Sequence, residues 1–85
     1  MNYYVYMLLA KNSKISYVGY TNNLKKRISL HNSGKGAKFT RGRKWKLIYK
    51  QMFTSKSDAM KNENSLKKNS LLRKKIKLKY LITKL

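Results

Sequence analysis

The chain has 85 residues, of which 22 are Lys or Arg and only 2 are Asp or Glu, so its formal net charge is +20. This length allows one small domain, residues 1–85, and a hydrophobic content of 41% is enough to give it a core. The charge predicts a polyanionic partner, whereas the lack of Cys and the scarcity of acids exclude a disulfide framework, a Cys-ligated zinc site and a two-metal site held by several carboxylates.

The order of secondary-structure elements is predicted from residue type and spacing. Aromatic and β-branched residues with turn clusters between them indicate strands, and residues that can cap a helix, followed by apolar residues at helical spacing, indicate helices. The predicted strands are 3–9, 15–20 and 45–53. The predicted helices are 24–32, a second that Ser55 or Ser57 caps and that runs to about Asn69, and a third over 71–85. The order β-β-α-β-α-α predicts an α+β domain with a small sheet and helices packed on it.

Four residues of the first hairpin are candidates for a site. Tyr4 and Tyr6 share one face of the first strand, and Tyr17 and Gly19 share one face of the second. A glycine weakens a strand unless something must approach its backbone, so we expect nucleic acid to contact Gly19. Surrounding cations are expected to lower the pKa of one phenol and make it a useful base. The alternative is that these aromatic pairs only stabilise the sheet.

The first helix carries Arg27 and His31, spaced i, i+4 on one face beside the apolar stripe of Leu24 and Ile28. The only histidine of the chain therefore lies at the edge of the buried side. It either fills a gap in the core together with the stem of Arg27, or it belongs to a functional site.

Residues 33–44 are predicted to form a glycine-rich basic loop, with strand 45–53 alternating its faces after it. This loop either grips phosphates or is simply solvated, and the total charge favours binding. The residues expected to contact nucleic acid in the loop are Lys35, Lys38, Arg41 and Arg43.

The second helix places Glu63 in line with Ala59 and Leu66, at spacing i, i+4, i+7, so that one of the two acids points toward the core. A salt bridge to an inward Lys or Arg is one explanation. The other is a ligand for one hard cation such as Mg²⁺, which commonly binds through one or two carboxylates with water and substrate phosphate. Asp58 fits the first turn of this helix.

The third helix has Leu71, Leu78, Ile82 and Leu85 on one side, and this stripe is expected to cover the sheet. Binding to an anionic membrane is the less favoured alternative. The apolar segment 3–10 is too short to span a membrane and lacks the features of a signal peptide, so a cytoplasmic location is expected. No protein partner can be inferred.

These residues together resemble the GIY-YIG nuclease family over roughly residues 2 to 80. The resemblance is carried by an ordered set with the family's spacing, namely Tyr4-Val5-Tyr6, Tyr17-Val18-Gly19, Thr21, Leu24, Arg27, His31 and Glu63. The segment Gly34-Lys35-Gly36-Ala37-Lys38-Phe39-Thr40-Arg41 looks like the loop of small stand-alone bacterial YhbQ-like members. The ordered set is a specific signal, although a lone Tyr-Val-Gly is weak.

The resemblance implies a three-stranded antiparallel sheet flanked by helices and a phosphodiester hydrolase that uses one divalent metal, Mg²⁺ or Mn²⁺. By resemblance, Tyr6 activates or orients water and Tyr17 holds the water or the scissile phosphate. Arg27 stabilises charge on the phosphate, and His31 hydrogen-bonds Tyr6 or the water. Glu63 binds the metal, which stabilises the leaving 3′ oxygen.

The sequence departs from the family in one functional respect. Many catalytic members carry an Asn about a dozen residues after the Glu, where this chain has Lys74-Lys75-Ile76-Lys77-Leu78, and Asn69 lies too early. Three functions follow from the sequence. The first is a Mg²⁺-dependent endonuclease acting on DNA with structure preference or weak sequence preference, and the second is a non-catalytic nucleic-acid-binding module on the same fold. The third is a small basic RNA-associated protein.

Overall fold

A computed structural model describes residues 1–84 and has the predicted order of elements. The elements are β1 (Tyr3–Ala10), β2 (Ser16–Thr21), α1 (Leu24–Asn32), β3 (Trp45–Phe53), α2 (Lys56–Lys68) and α3 (Ser70–Lys84). The segment 33–44, predicted to be a loop throughout, contains a short 3₁₀ helix at Lys38–Thr40. The α+β fold class with one three-stranded antiparallel sheet is confirmed.

The sheet has the strand order β2-β1-β3, and β1 pairs antiparallel with both neighbours. Because β1 is central and helices cover both faces of the sheet, every residue from Val5 to Ala10 is buried. Successive side chains of a strand point to opposite faces, so β1 contributes to two separate cores.

The two cores are divided by the sheet. Val5 and Met7 of β1 pack with Ala59 and Leu66 of α2 on one face. On the other face Tyr6, Leu8, Ala10 and Trp45 pack under Leu24 and Ile28 of α1. Tyr6 pairs with Gly19 and Leu8 pairs with Tyr17 across β1 and β2, so the predicted sharing of one face by these tyrosines and Gly19 is correct.

The predicted strict alternation of β3 is wrong because the strand has a bulge. Met7 pairs with Tyr49 and Leu8 pairs with Leu47, which leaves Ile48 as an extra residue between them. Trp45 and Leu47 therefore pack on the α1 face, whereas Ile48 and Tyr49 both pack on the face covered by α2 and α3.

The prediction that the apolar stripe of α3 covers the sheet is also wrong. Leu71, Leu78 and Ile82 are 64%, 54% and 67% exposed, and Leu85 lies outside the described residues. The inward face of α3 is formed instead around Ile76, which packs on the core beneath α2. Apolar residues lie on two sides of this helix, and the side that contains Ile76, not the predicted stripe, packs against the core. No helix in residues 1–84 is long and apolar enough to cross a membrane.

The end of α1 has a backbone geometry that directs the following chain back over the helix. Gly34 has φ +81°, its N–H donates to the carbonyl of His31, and the N–H of Lys35 donates to the carbonyl of Leu30. This pair of hydrogen bonds is a Schellman motif, which uses glycine because a left-handed backbone strains other residues. The helix ends at Asn32, one residue after His31, and the turn brings Gly36 and Thr40 against the imidazole.

Candidate active site

The imidazole of His31 is fully buried and lies between two hydroxyl groups. The Tyr6 hydroxyl is 2.8 Å from Nε2, and the Thr40 hydroxyl is 2.9 Å from Nδ1. Tyr6 is only 1% exposed and Thr40 is fully buried. Strand β1, helix α1 and the 3₁₀ helix thus meet at one side chain, and each provides one member of a hydrogen-bonded chain.

A further hydrogen bond, from Thr40 to the backbone of Ala37, determines which group donates in each of these contacts. The Thr40 hydroxyl donates its single hydrogen to the carbonyl of Ala37 at 2.8 Å, so toward His31 it can only accept. The proton of the neutral imidazole is therefore on Nδ1, and the lone pair on Nε2 accepts the Tyr6 O–H. Each group therefore donates a hydrogen bond to the next, from Tyr6 to His31, from His31 to Thr40, and from Thr40 to the Ala37 carbonyl.

Two glycines make the space that this arrangement needs. A Cβ on Gly19 would lie 2.5 Å from the Tyr6 hydroxyl oxygen and 2.8 Å from Cζ, and a Cβ on Gly36 would overlap the His31 ring. Gly19 is buried under the Tyr6 phenol, and its contact with nucleic acid stays a prediction. The close approach that the glycine allows is made by a side chain of the protein itself.

Burial dominates the electrostatics of the two buried groups. It raises the pKa of Tyr6 to about 12, and the Arg27 guanidinium opposes this shift only in part. The predicted lowering of a phenol pKa by surrounding cations is therefore wrong for Tyr6. Removing a phenolate from water costs more free energy than its attraction to Arg27 contributes. Burial, together with the charge of Arg27, lowers the pKa of His31, so this imidazole is neutral at pH 7.

Arg27 lies at the exposed side of the buried chain. The Tyr6 phenol raises the pKa of Arg27, and the Tyr17 phenol raises it to a smaller extent, which means that the guanidinium is close to both phenols. With Lys56 of α2, Arg27 also lines a surface cleft of about 330 Å³. Tyr17 is half-buried and its ring centroid is 4.9 Å from that of His31. The structure therefore brings together all four residues predicted to be catalytic.

Glu63 is half-buried on α2, with 18% of its side chain exposed and its carboxylate 3.7 Å from the Lys67 ammonium. It contributes to the raised pKa of Tyr6, so its charge acts on the same site.

Asp58, by contrast, is exposed in the first turn of α2. Asn69 uses its side-chain oxygen to accept a hydrogen bond from the Leu72 N–H and cap α3, which commits it to a structural role.

The basic side chains of the loop are at the surface beside this site. Lys35, Lys38, Arg41 and Arg43 are all exposed. Lys38 is on the 3₁₀ helix that also carries Thr40, and Arg41 follows that helix directly. The loop therefore places cations next to the buried hydrogen-bonded chain.

Sequence reasoning missed two residues of the site, Thr40 and Gly36. A buried histidine needs partners at both ring nitrogens, so the need for a second partner could have been inferred. Its identity could not, because it comes from a loop with no periodicity. Asn32 supports the same loop by bonding the backbone N–H of Trp45 at 2.6 Å, while the Trp45 indole donates to the Thr40 carbonyl at 2.9 Å.

Comparison with known proteins identifies relatives over most of the chain. Residues 2–77 match the family model described as the GIY-YIG catalytic domain. A UPF0213 protein of Staphylococcus haemolyticus is 47% identical over 66 residues, which are 76% of this chain and 79% of the relative. A UPF0213 protein of Lactiplantibacillus plantarum is 46% identical over 82 residues, covering 93% of this chain and 77% of the relative.

A solved structure also resembles this chain. The solution NMR structure of a UPF0213 protein from Bacillus halodurans is 46% identical, covers 95% of this chain and 85% of its own, and has a TM-score of 0.53. The names of these relatives state no activity, whereas the family model describes a catalytic domain.

The hydrogen bond from His31 to Thr40 predicts different costs for two substitutions. Thr40→Val leaves the buried Nδ1–H without an acceptor and should lower the free energy of unfolding by roughly 1–3 kcal/mol. Thr40→Ser keeps the hydroxyl and loses one methyl group, which costs about 0.8 kcal/mol. Urea denaturation of both variants measures the difference, and a serine variant no more stable than the valine variant would contradict the assigned bond.

The lowered pKa of His31 predicts loss of stability in mild acid. Above its ordinary pKa of about 6.5 His31 is neutral in both states, but below it the unfolded chain binds a proton that the folded chain resists. The free energy of unfolding should therefore fall from pH 6.5 downward, with a slope approaching about 1.4 kcal/mol per pH unit. Because the chain has one His and two acids, urea titrations between pH 5 and 8 isolate this group, and a flat profile would refute its burial as a neutral ring.

Proposed function

The chain belongs to the GIY-YIG catalytic-domain family, and from this premise we propose that it is a metal-dependent endonuclease that hydrolyses phosphodiester bonds of DNA. The observation that carries the proposal is the buried hydrogen bond from the Tyr6 hydroxyl to the neutral His31 imidazole, with Arg27 facing the same phenol. A core that needed only apolar filling would not place three such groups together.

Water activation is the proposed task of Tyr6 and His31. With a pKa of about 12, Tyr6 carries its proton at pH 7. As the phenol oxygen takes a proton from water, its own proton passes to Nε2 of His31, and the hydroxide attacks phosphorus. His31 then carries a positive charge, and Nδ1–H remains bonded to Thr40. This relay lets a phenol with a high pKa act as a base without first becoming a phenolate.

Access to the Tyr6 hydroxyl is restricted, because the residue is only 1% exposed. Arg27 and Tyr17 are the partly exposed polar side chains on that side. We infer that the reacting water and the scissile phosphate lie against these two side chains. Arg27 then stabilises the charge that develops on the phosphate oxygens, and Tyr17 orients the water or the phosphate.

The donor set fits a hard divalent cation held by one carboxylate. Residues 1–84 contain no group of three or more His, Cys, Asp or Glu side chains that could hold a metal, which excludes an all-protein cage in that region. Mg²⁺ commonly binds through one or two carboxylates with water and substrate phosphate, and Glu63 is half-buried with its charge acting on the site. Glu63 would hold Mg²⁺ or Mn²⁺, whose chemistry there is stabilisation of the leaving 3′ oxygen.

DNA is the proposed substrate because of the charge distribution. The net charge of +20 attracts a polyanion, and the exposed cations of the loop lie beside Thr40 and the buried chain. Contacts of this kind bind phosphate and carry no base sequence. The proposed specificity is therefore for DNA structure, with little dependence on sequence.

A non-catalytic nucleic-acid-binding module is the second candidate function. It is favoured by the use of Asn69 as a helix cap and by the absence of Asn from residues 74–78. In such a module, Arg27 and the loop would bind phosphate without turnover, and the buried hydrogen-bonded chain would be structural.

Cleavage assays on plasmid and branched DNA, with Mg²⁺ or with EDTA, test the proposed function. Arg27→Ala should slow cleavage by about 10²–10³-fold, the usual cost of removing one preorganised charge-stabilising group. Glu63→Gln should abolish the dependence on Mg²⁺ together with most of the activity. Asp58→Asn is the matched control, because it removes the other acid of α2, which is exposed, and it should leave cleavage unchanged.

Two results would overturn this assignment. Cleavage that persists undiminished in Glu63→Gln or Arg27→Ala would show that the site lies elsewhere. A wild-type protein that never cuts, yet binds DNA with a steep salt dependence, would establish the binding module instead. Stronger binding to duplex RNA than to duplex DNA at matched salt would favour an RNA-associated protein.

A further inference from the structure

Phe39 is 57% exposed although its ring is packed at the edge of the candidate site. It stacks on Tyr17 with ring centroids 6.3 Å apart and planes 24° apart, and its centroid is also 6.3 Å from that of Trp45. Tyr17 in turn lies 4.9 Å from His31. A column of rings therefore leads from the buried imidazole through Tyr17 to Phe39 at the surface.

The position of Phe39 is tied to that of the buried hydrogen-bonded chain. Its neighbour Thr40 accepts the hydrogen bond from His31, and both residues belong to the same 3₁₀ helix. The Thr40 carbonyl is held in turn by the Trp45 indole. A single exposed aromatic ring needs no explanation on a protein surface. Phe39 differs because its ring packs on Tyr17 and Trp45 while more than half of the residue stays exposed to a ligand.

The charge around this ring has one sign. Lys38 begins the 3₁₀ helix and Arg41 follows it, and both side chains are exposed. The two acids of the chain, Asp58 and Glu63, are on α2. An aromatic ring between cations is the arrangement that proteins use for single-stranded nucleic acid, because the ring stacks on a base while the cations follow the backbone.

We propose that Phe39 forms a nucleobase-stacking subsite for one unpaired base next to the phosphate bound at Arg27. This inference rests on the proposed function and deepens it, since it names the substrate as DNA with an unpaired nucleotide beside the scissile bond. In a continuous duplex both faces of each base are already stacked, so the same contact would require unstacking at a cost of a few kcal/mol. Branched, flapped or single-stranded DNA offers the base without that cost.

The test measures binding in EDTA, separately from cleavage. Two short DNA molecules of the same sequence carry 2-aminopurine, one at an unpaired position of a flap and one within a complete duplex. For the wild type, stacking should quench the fluorescence of the unpaired 2-aminopurine, and the flap should bind more tightly than the duplex at the same salt concentration. Stacking on one ring contributes about 1–3 kcal/mol, which corresponds to about 5- to 150-fold in Kd.

Four variants separate stacking from packing and from charge. Phe39→Ala and Phe39→Leu should both lose the quenching and the preference for the flap, although leucine keeps an apolar side chain at this position. Phe39→Trp keeps a ring and should retain both. Lys38→Ala should weaken flap and duplex binding equally and reduce the salt slope by about one, because it removes a phosphate contact.

The outcomes distinguish this subsite from the proposed function. Equal loss of flap and duplex binding in Phe39→Ala, or a wild-type preference that survives in Phe39→Leu, would overturn the subsite. The subsite would also be overturned if Phe39→Ala cleaved flap and duplex in the same ratio as the wild type. If cleavage in that case still depended on Glu63, the proposed nuclease function would stand. Flap-selective binding that depends on the Phe39 ring, in a protein that does not cut with Mg²⁺, would support the subsite and reject the nuclease.

Discussion

The hydrogen bonding of one buried imidazole governs how this domain is arranged around its candidate site. His31 is excluded from water, so each ring nitrogen must find a partner within the protein. Tyr6 supplies the donor on one side and Thr40 the acceptor on the other. The glycine beneath the phenol, the glycine over the ring and the Schellman turn that ends α1 all allow three separate elements to reach this one side chain.

Much of the architecture could be predicted from local sequence patterns. Strand and helix periodicities depend on neighbouring residues, which is why the order of elements and the shared face of Tyr6 and Gly19 were predicted correctly. The i, i+4 spacing likewise placed Arg27 and His31 on one face of α1. The rarity of acids in so basic a chain also singles out Glu63, because only two carboxylate side chains are present.

The features that could not be predicted depend on contacts between distant segments. The bulge at Ile48 arises from pairing with β1, and the orientation of α3 is set by which of its two apolar sides meets the core at Ile76. The partner of His31 comes from an aperiodic loop. The pKa of Tyr6 was predicted to move in the wrong direction because the total charge is visible in the sequence, whereas the desolvation that outweighs it exists only after packing.

The tautomer of His31 tests this account most directly. Because the chain contains a single histidine, its imidazole nitrogens can be assigned without ambiguity in nitrogen-15 NMR spectra of the labelled protein at pH 7. The account predicts a hydrogen bonded covalently to Nδ1 and none on Nε2, with the Tyr6 hydroxyl hydrogen bonded to Nε2. A hydrogen on Nε2, or one on each nitrogen, would contradict it.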